Sequence, residues 1–180
     1  PDEEKKMRGV FYQQPTYLAG KIYESGLLGE KDYKTAFYYY RVSSNNRYVP
    51  GTAAYMRFLA QSYPEIDDPA IKEKIAKELY SLFGMWKWYS AEIMALGSQL
   101  YASGVFKDES DGYYANLYAA IAARMDARVA ESILGKKRMM NAEVSSDKIQ
   151  ADAQRIMSTR DLSSLQQSNR LDFFDTCQGS

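Results

Sequence analysis

Three tyrosines recur along this chain at nearly equal intervals, and each stands in the same local pattern. Tyr23, Tyr63 and Tyr101 are 40 and 38 residues apart. Five positions before each tyrosine stands a large apolar residue, and three positions before it a small one. An alanine follows each tyrosine after 13 or 14 positions, and a large apolar residue stands three positions after that alanine. These columns hold Leu18, Phe58 and Leu96; Gly20, Ala60 and Ser98; Ala36, Ala76 and Ala115; and Tyr39, Leu79 and Tyr118. A period of this length indicates an array of structural repeats.

The spacing inside each copy predicts a helix, a turn and a second helix. Positions five and three residues before the tyrosine share its side of a helix, and a small residue there lets a second helix approach closely. Two copies carry a glycine, Gly26 or Gly104, where a helix end requires positive φ. Asp68 and Pro69 predict another helix start, and Gly84 a boundary before the third hairpin. Strand patterns are weak, so we expect an all-α chain.

The recurring pattern resembles that of Sel-1-like repeats, which are relatives of tetratricopeptide repeats. The family pattern is Leu-Gly-x-x-Tyr-x-x-Gly, then an aspartate, then Lys-x-Ala or Lys-Ala, then an aromatic residue, and the first copy matches it from Leu18 to Tyr39. The third copy has one extra residue between Gly97 and Tyr101, and Ile66 replaces the turn glycine of the middle copy. The resemblance implies a right-handed superhelical stack, a solenoid of antiparallel α/α hairpins.

The chain is expected to divide into three parts. Residues 1–14 form a charged N-terminal segment, of which we expect Asp2–Lys6 to fray. The repeat domain covers 15–157, with hairpins near 16–48, 52–83 and 85–127 and closing helices over 128–157. Residues 158–180 form a polar tail, whose Phe173 and Phe174 are predicted to cap the last apolar face of the stack.

Composition excludes several classes of partner and cofactor. Lys+Arg and Asp+Glu number 23 each, so no overall field attracts nucleic acid or an anionic membrane surface. The longest charge-free stretch, Ile93–Phe106, has 14 residues, whereas a membrane-spanning helix needs roughly 20. The chain has no histidine and one cysteine, Cys177, so the usual ligand sets for zinc, haem and copper are missing. We expect no membrane span, nucleic acid, metal or cofactor.

No residue pattern predicts catalysis. The Gly26–Lys31 stretch lacks the spacing of a phosphate-binding loop. The short basic patch Gly135–Arg138 is typical of a solvated helix end. No histidine can act as a general base, and the candidate carboxylates are not spaced to meet in one pocket: Glu92, Asp111, Asp126 and Glu131. The chain is therefore not expected to be an enzyme.

Protein binding is the expected function, and the 16 tyrosines bear on where it occurs. Rigid amphipathic rings serve both recognition surfaces and cores. The rings at repeat positions are assigned to the core: Tyr23, Tyr39, Tyr63, Tyr101 and Tyr118. Residues on the first helices that face away from the paired helix are predicted to bind a partner: Tyr17, Lys21, Arg57, Gln61 and Gln99. Trp86 and Trp88 form a second predicted binding cluster.

The resemblance implies a scaffold or adaptor. Sel-1-like proteins often work in bacterial envelopes or in secretion and signalling assemblies, so we expect a component of an envelope-associated or secretion-type assembly, placed in the periplasm. Two alternatives stay open. An envelope hydrolase or peptidoglycan-binding module would be favoured by a pocket with paired acidic residues. A cytosolic regulatory adaptor would be favoured if the encoded chain starts just before Pro1.

Overall fold

The computed structural model describes residues 2–107, 112–143 and 146–159. Within these ranges the regular structure is helical and contains no β-strand, so the predicted all-α class is confirmed. None of the helices there is long and apolar enough to cross a membrane. The α-helices are α1 (Asp2–Ser25), α2 (Tyr33–Asn45), α3 (Val49–Ser62), α4 (Pro69–Trp86), α5 (Ala91–Ala102), α6 (Tyr113–Met125), α7 (Ala127–Leu134), α8 (Lys136–Glu143) and α9 (Asp147–Ser158).

The chain divides into two compact units, Pro1–Leu82 and Phe83–Ser180. The division falls inside α4, which runs through Gly84 to Trp86, so the predicted helix boundary at Gly84 is wrong. A glycine inside a helix costs only about 1 kcal/mol relative to alanine, which does not suffice to end a helix that is anchored by the buried Phe83 side chain next to it. The third hairpin instead starts at α5, where the Ser90 side chain accepts a hydrogen bond from the Ile93 N–H.

In the first unit, α1 and α2 form a hairpin with a glycine at its closest approach. A Cβ atom added at Gly20 would lie 2.6 Å from Cε1 of Tyr40, whose side chain is fully buried. Gly26 follows α1 with a φ of +71°. The Asp32 carboxylate caps α2 by accepting a hydrogen bond from the Thr35 N–H at 3.0 Å. The predicted helix, glycine turn and helix are confirmed for this copy.

Two further helices belong wholly or largely to the first unit. α3 packs against α2, where a Cβ atom at Gly51 would overlap the buried Ser43 side chain. α4 starts as predicted, because the Asp68 carboxylate accepts a hydrogen bond from the Ala70 N–H at 2.8 Å. Residues 2–14, which the sequence assigned to a separate charged segment, are the first part of α1.

In the second unit, α5 and α6 form the corresponding hairpin. Ser98, at the small-residue position of this copy, is fully buried and its Oγ donates to the Ala115 carbonyl at 2.7 Å. A Cβ atom at the neighbouring Gly97 would overlap the ring of Phe83. Gly104 follows α5 with a φ of +75°. The glycine turn and the close approach at the small residue are thus confirmed in this copy as well.

The last three helices pack against α6. α6 is buried on almost all sides along Leu117–Ala122, as expected for a helix at the centre of a helical unit. α7, α8 and α9 each contribute buried apolar side chains: Ala130, Met139, Ile149 and Ala153. Asp111, the Phe173–Phe174 pair and Cys177 lie outside the described residues.

Candidate interaction surfaces

Four of the predicted binding residues lie in the first unit, and their exposure differs. Lys21 and Gln61 are exposed, on α1 and α3 respectively. Tyr17 is half-buried, with its ring centroid 5.7 Å from that of Tyr40. The Lys21 ammonium lies 5.9 Å from the centroid of the Tyr17 ring. Tyr17 therefore offers only part of its ring to a partner, whereas Lys21 and Gln61 are accessible.

Arg57, the fourth, belongs to a cluster that joins three helices. Its Nη1 lies 3.0 Å from Oε1 of Glu24 on α1, and its Nη2 donates to Oε2 at 3.1 Å. Tyr40 on α2 donates its hydroxyl to the same Oε2 at 2.6 Å. Burial, with the hydrogen bond to Glu24, raises the pKa of Tyr40 far above its ordinary range. The Arg57 charge is thus engaged inside the unit by a two-point ion pair.

The predicted binding residues of the second unit are Trp86, Trp88 and Gln99. Both tryptophans are half-buried, and the Trp86 ring packs at 5.6 Å against that of Tyr89. Gln99 is exposed on α5, beyond the buried run 93–98. Neither tryptophan ring is fully exposed to solvent, although the Tyr89 ring beside Trp86 is exposed.

Lys87 lies among aromatic side chains that the sequence did not link to it. Its Nζ is 3.3 Å from the Tyr118 hydroxyl and 5.3 Å from the centroid of the same ring. It also lies 5.2 Å from the Phe83 centroid and 5.5 Å from that of Trp88. Such cation–π contacts hold the ammonium and the rings together. Trp88 is therefore part of an internal cluster as well as of the surface.

The repeat tyrosines pair across each clear hairpin. Tyr23 and Tyr39 stack with centroids 5.6 Å apart and planes 9° apart. Tyr101 and Tyr118 stack at the same distance with planes 29° apart. The anchor tyrosine of the first helix therefore meets the aromatic residue of the second helix in both copies.

The first of these pairs lies at the surface. Tyr23 is 37% exposed, so its assignment to the core is wrong. It sits at the edge of the α1–α2 hairpin, where its carbonyl accepts a hydrogen bond from the Asp32 N–H of the turn. Tyr38, which is 61% exposed, meets Tyr39 edge to face at 5.6 Å. We call Tyr23, Tyr38 and Tyr39 the tyrosine rim.

A second exposed surface adjoins the rim and is basic. Lys34, Tyr38 and Arg41 are all exposed and follow one another at four and three residues along α2, so they share one side of the helix. We call these three residues the outer face of α2. The side chains opposite to it are buried: Ala36, Tyr40 and Ser43. Between residues 33 and 64 the sequence has four basic residues and no acidic one.

The acidic side chains of the described ranges form no metal-binding cluster. No group of three or more carboxylate or thiol side chains gathers there in a way that could hold a metal ion. The Asp152 carboxylate accepts a hydrogen bond from the Tyr113 hydroxyl at 2.6 Å, which lowers the pKa of Asp152 and raises that of Tyr113 to about 12. This contact links α6 to α9 and is structural.

Comparison of the chain with protein-family models, with curated proteins and with solved structures gives no match in any of the three. The resemblance to Sel-1-like repeats therefore stays a prediction from the residue columns of the sequence.

Proposed function

We propose that this chain is a non-enzymatic adaptor of the helical-repeat type that binds another protein through its first unit. The observation that carries the proposal is the tyrosine rim with the adjoining outer face of α2. Three contiguous rings are presented there beside two basic side chains. Tyrosine is enriched among the residues that dominate binding energy in protein interfaces, because its ring is rigid and its hydroxyl tolerates water.

Two internal features support the repeat character of the proposal. Both clear copies have a left-handed glycine after the first helix, and both stack the anchor tyrosine on a ring of the second helix. A solenoid of such hairpins would present successive surfaces to a partner. The proposed setting, an envelope-associated or secretion-type assembly, is supported by the resemblance to Sel-1-like repeats alone.

Site-specific photocrosslinking in the source organism tests the proposal. The photoreactive amino acid p-benzoylphenylalanine replaces one exposed tyrosine at a time: Tyr33, Tyr38, Tyr89 or Tyr114. Tyr33 and Tyr38 are 55% and 61% exposed, and Tyr89 and Tyr114 are 42% and 41% exposed. A matched control carries it at the exposed Lys74 of α4. We expect a protease-sensitive adduct of discrete mass at position 33 or 38 and none at position 74.

The other outcomes are equally informative. Absence of a protein adduct at all four tyrosine positions would refute an adaptor function. Adducts at positions 89 or 114 alone would place binding on the second unit and contradict the assignment to the first. An adduct that resists protease and is removed by a glycan-degrading enzyme would support the peptidoglycan-binding alternative instead.

A further inference from the structure

The outer face of α2 carries two positive charges, Lys34 and Arg41, and Arg41 also acts on the nearby Tyr55, whose hydroxyl donates to Glu78 at 2.7 Å. Neither Lys34 nor Arg41 forms an ion pair with a residue in the described ranges. The nearest acidic group by sequence is Asp32, whose carboxylate is held by the N–H and the hydroxyl of Thr35. Those hydrogen bonds, and more weakly the charge of Lys34, lower the pKa of Asp32. The helix itself contains no acidic residue.

The spacing of this face defines what would complement it. Lys34 and Arg41 are seven positions apart, which is about 10 Å along a helix axis. The ring of Tyr38 stands between them and is 61% exposed. A complementary surface needs two carboxylates about 10 Å apart with an apolar side chain between them, and a helix provides this with acidic residues at i and i+7 and an apolar residue at i+3 or i+4.

We propose that the outer face of α2 docks an acidic amphipathic helix of a protein partner. The inference rests on the proposed adaptor function and specifies the chemistry of the partner. The partner's carboxylates pair with Lys34 and Arg41, and its apolar side chain packs on Tyr38 and on the adjoining tyrosine rim. In such a contact the apolar packing supplies affinity, and the charges select and orient the partner.

A nucleic acid fits this face less well. Duplex DNA carries a charge about every 1.7 Å of its axis, and proteins that bind it present many cations along a track. The outer face of α2 presents two cations with a phenol between them, on a chain of zero net charge.

Charge reversal combined with photocrosslinking at position 38 tests the docking. The full chain with p-benzoylphenylalanine at position 38 is compared with the same chain carrying Lys34→Glu and Arg41→Glu. Two exposed ion pairs would be lost and replaced by repulsion, so we expect roughly 10- to 100-fold weaker capture of the partner. The control reverses two exposed lysines of the second unit, Lys136→Glu and Lys137→Glu, with the same change of net charge. Circular dichroism checks that the helix content is unchanged.

The crosslinked segment of the partner is then identified by mass spectrometry and its nearest acidic residues are changed to lysine. We expect this change to weaken capture by the wild-type chain and to restore capture by the Lys34→Glu, Arg41→Glu variant. Rescue of this kind depends on the pairing of charges and not on the stability of either protein.

Several outcomes would overturn the docking and leave the adaptor function standing. These are a protein adduct at another tyrosine but none at position 38, an adduct at position 38 that the reversal does not reduce, and a crosslinked segment without acidic residues. A nuclease-sensitive adduct at position 38 would identify a nucleic acid as the occupant and refute the proposal.

Discussion

Gly97→Ala is expected to destabilise the second unit, although alanine is the better helix former. The added Cβ atom would overlap Cε2 of Phe83 and lie 2.5 Å from Cδ2 and Cζ of the same ring. The ring cannot move aside easily, because it is 2% exposed and packed edge to face on Tyr118 at 4.9 Å. Phe106 lies 5.7 Å from it as well.

The net effect follows from two opposed contributions. Replacing a mid-helix glycine by alanine stabilises a helix by about 1 kcal/mol. Adding a methyl group to a packed core costs about 1–3 kcal/mol, and more where the neighbours cannot relax. Because Cβ atoms almost never lie within 3.0 Å of a neighbour, the Phe83 ring would have to shift, which places the cost at the upper end of that range. We expect a net loss of about 2 kcal/mol in the free energy of unfolding.

Gly84→Ala is the matched control, since Gly84 lies inside α4 in the same unit and a Cβ atom there meets nothing within 4 Å. It should stabilise the unit by about 0.5–1 kcal/mol. Both tryptophans of the chain, Trp86 and Trp88, lie in this unit, so their fluorescence during urea unfolding reports on it specifically. If Gly97→Ala unfolded at the same or a higher urea concentration than the wild type while Gly84→Ala gained stability, the close approach of α5 to Phe83 would be refuted.

Three further perturbations test contacts between helices. Tyr40→Phe removes the hydroxyl that donates to Glu24 at 2.6 Å, which should lower the free energy of unfolding by about 1–2 kcal/mol. Urea denaturation followed by circular dichroism measures this loss, and an unchanged midpoint would contradict the hydrogen bond between Tyr40 and Glu24. The pKa of Asp152 is lowered from 3.8, so the stabilisation that its carboxylate gives is present above pH 3.8 and is lost as the pH falls further. The pKa of Tyr113 is raised from 10.0 to about 12, so the stabilisation that its hydroxyl gives is complete below pH 10.0 and is lost as the pH rises toward 12. Asp152→Asn should therefore flatten the acid side of the stability profile and Tyr113→Phe the alkaline side; profiles that match the wild type would contradict the bond. Arg138→Met replaces a partly buried guanidinium whose Nη2 makes a long hydrogen bond to the Ser98 carbonyl, at 3.4 Å, and whose Nε has no acceptor among the described residues. Because the bond that is lost is long, thermal unfolding should show equal stability or a gain of about 1 kcal/mol. A clear loss would mean that the guanidinium holds α8 in place.

The hairpins could be predicted from the sequence because their determinants are local. The position of a small residue relative to an anchor tyrosine decides which side of a helix a neighbour can approach, and Gly20 and Ser98 make that approach as expected. Gly26 and Gly104 have positive φ for an equally local reason, since a helix end needs a residue without a Cβ atom there.

The two internal clusters, around Arg57 in the first unit and around Lys87 in the second, could not be predicted, because their contacts join residues that are distant in the sequence. Glu24 and Arg57 are 33 residues apart, and no periodicity links them. Lys87 and Tyr118 are 31 residues apart and meet only because α6 packs beside α5. The sequence did offer a signal for the outer face of α2, since an acid-free stretch follows Asp32, but reading net charge over the whole chain concealed it.

The two stacked tyrosine pairs explain why one motif leads to two different outcomes. In the second unit, Phe83 and Phe106 pack against the Tyr101–Tyr118 pair, and Tyr118 is only 8% exposed. In the first unit the equivalent pair ends the hairpin, and Tyr23 stays accessible. The repeat columns determine which rings stack, whereas exposure depends on the rings and helices that pack next to them. The proposed recognition surface therefore lies where a stacked pair is left uncovered, at the tyrosine rim beside the outer face of α2.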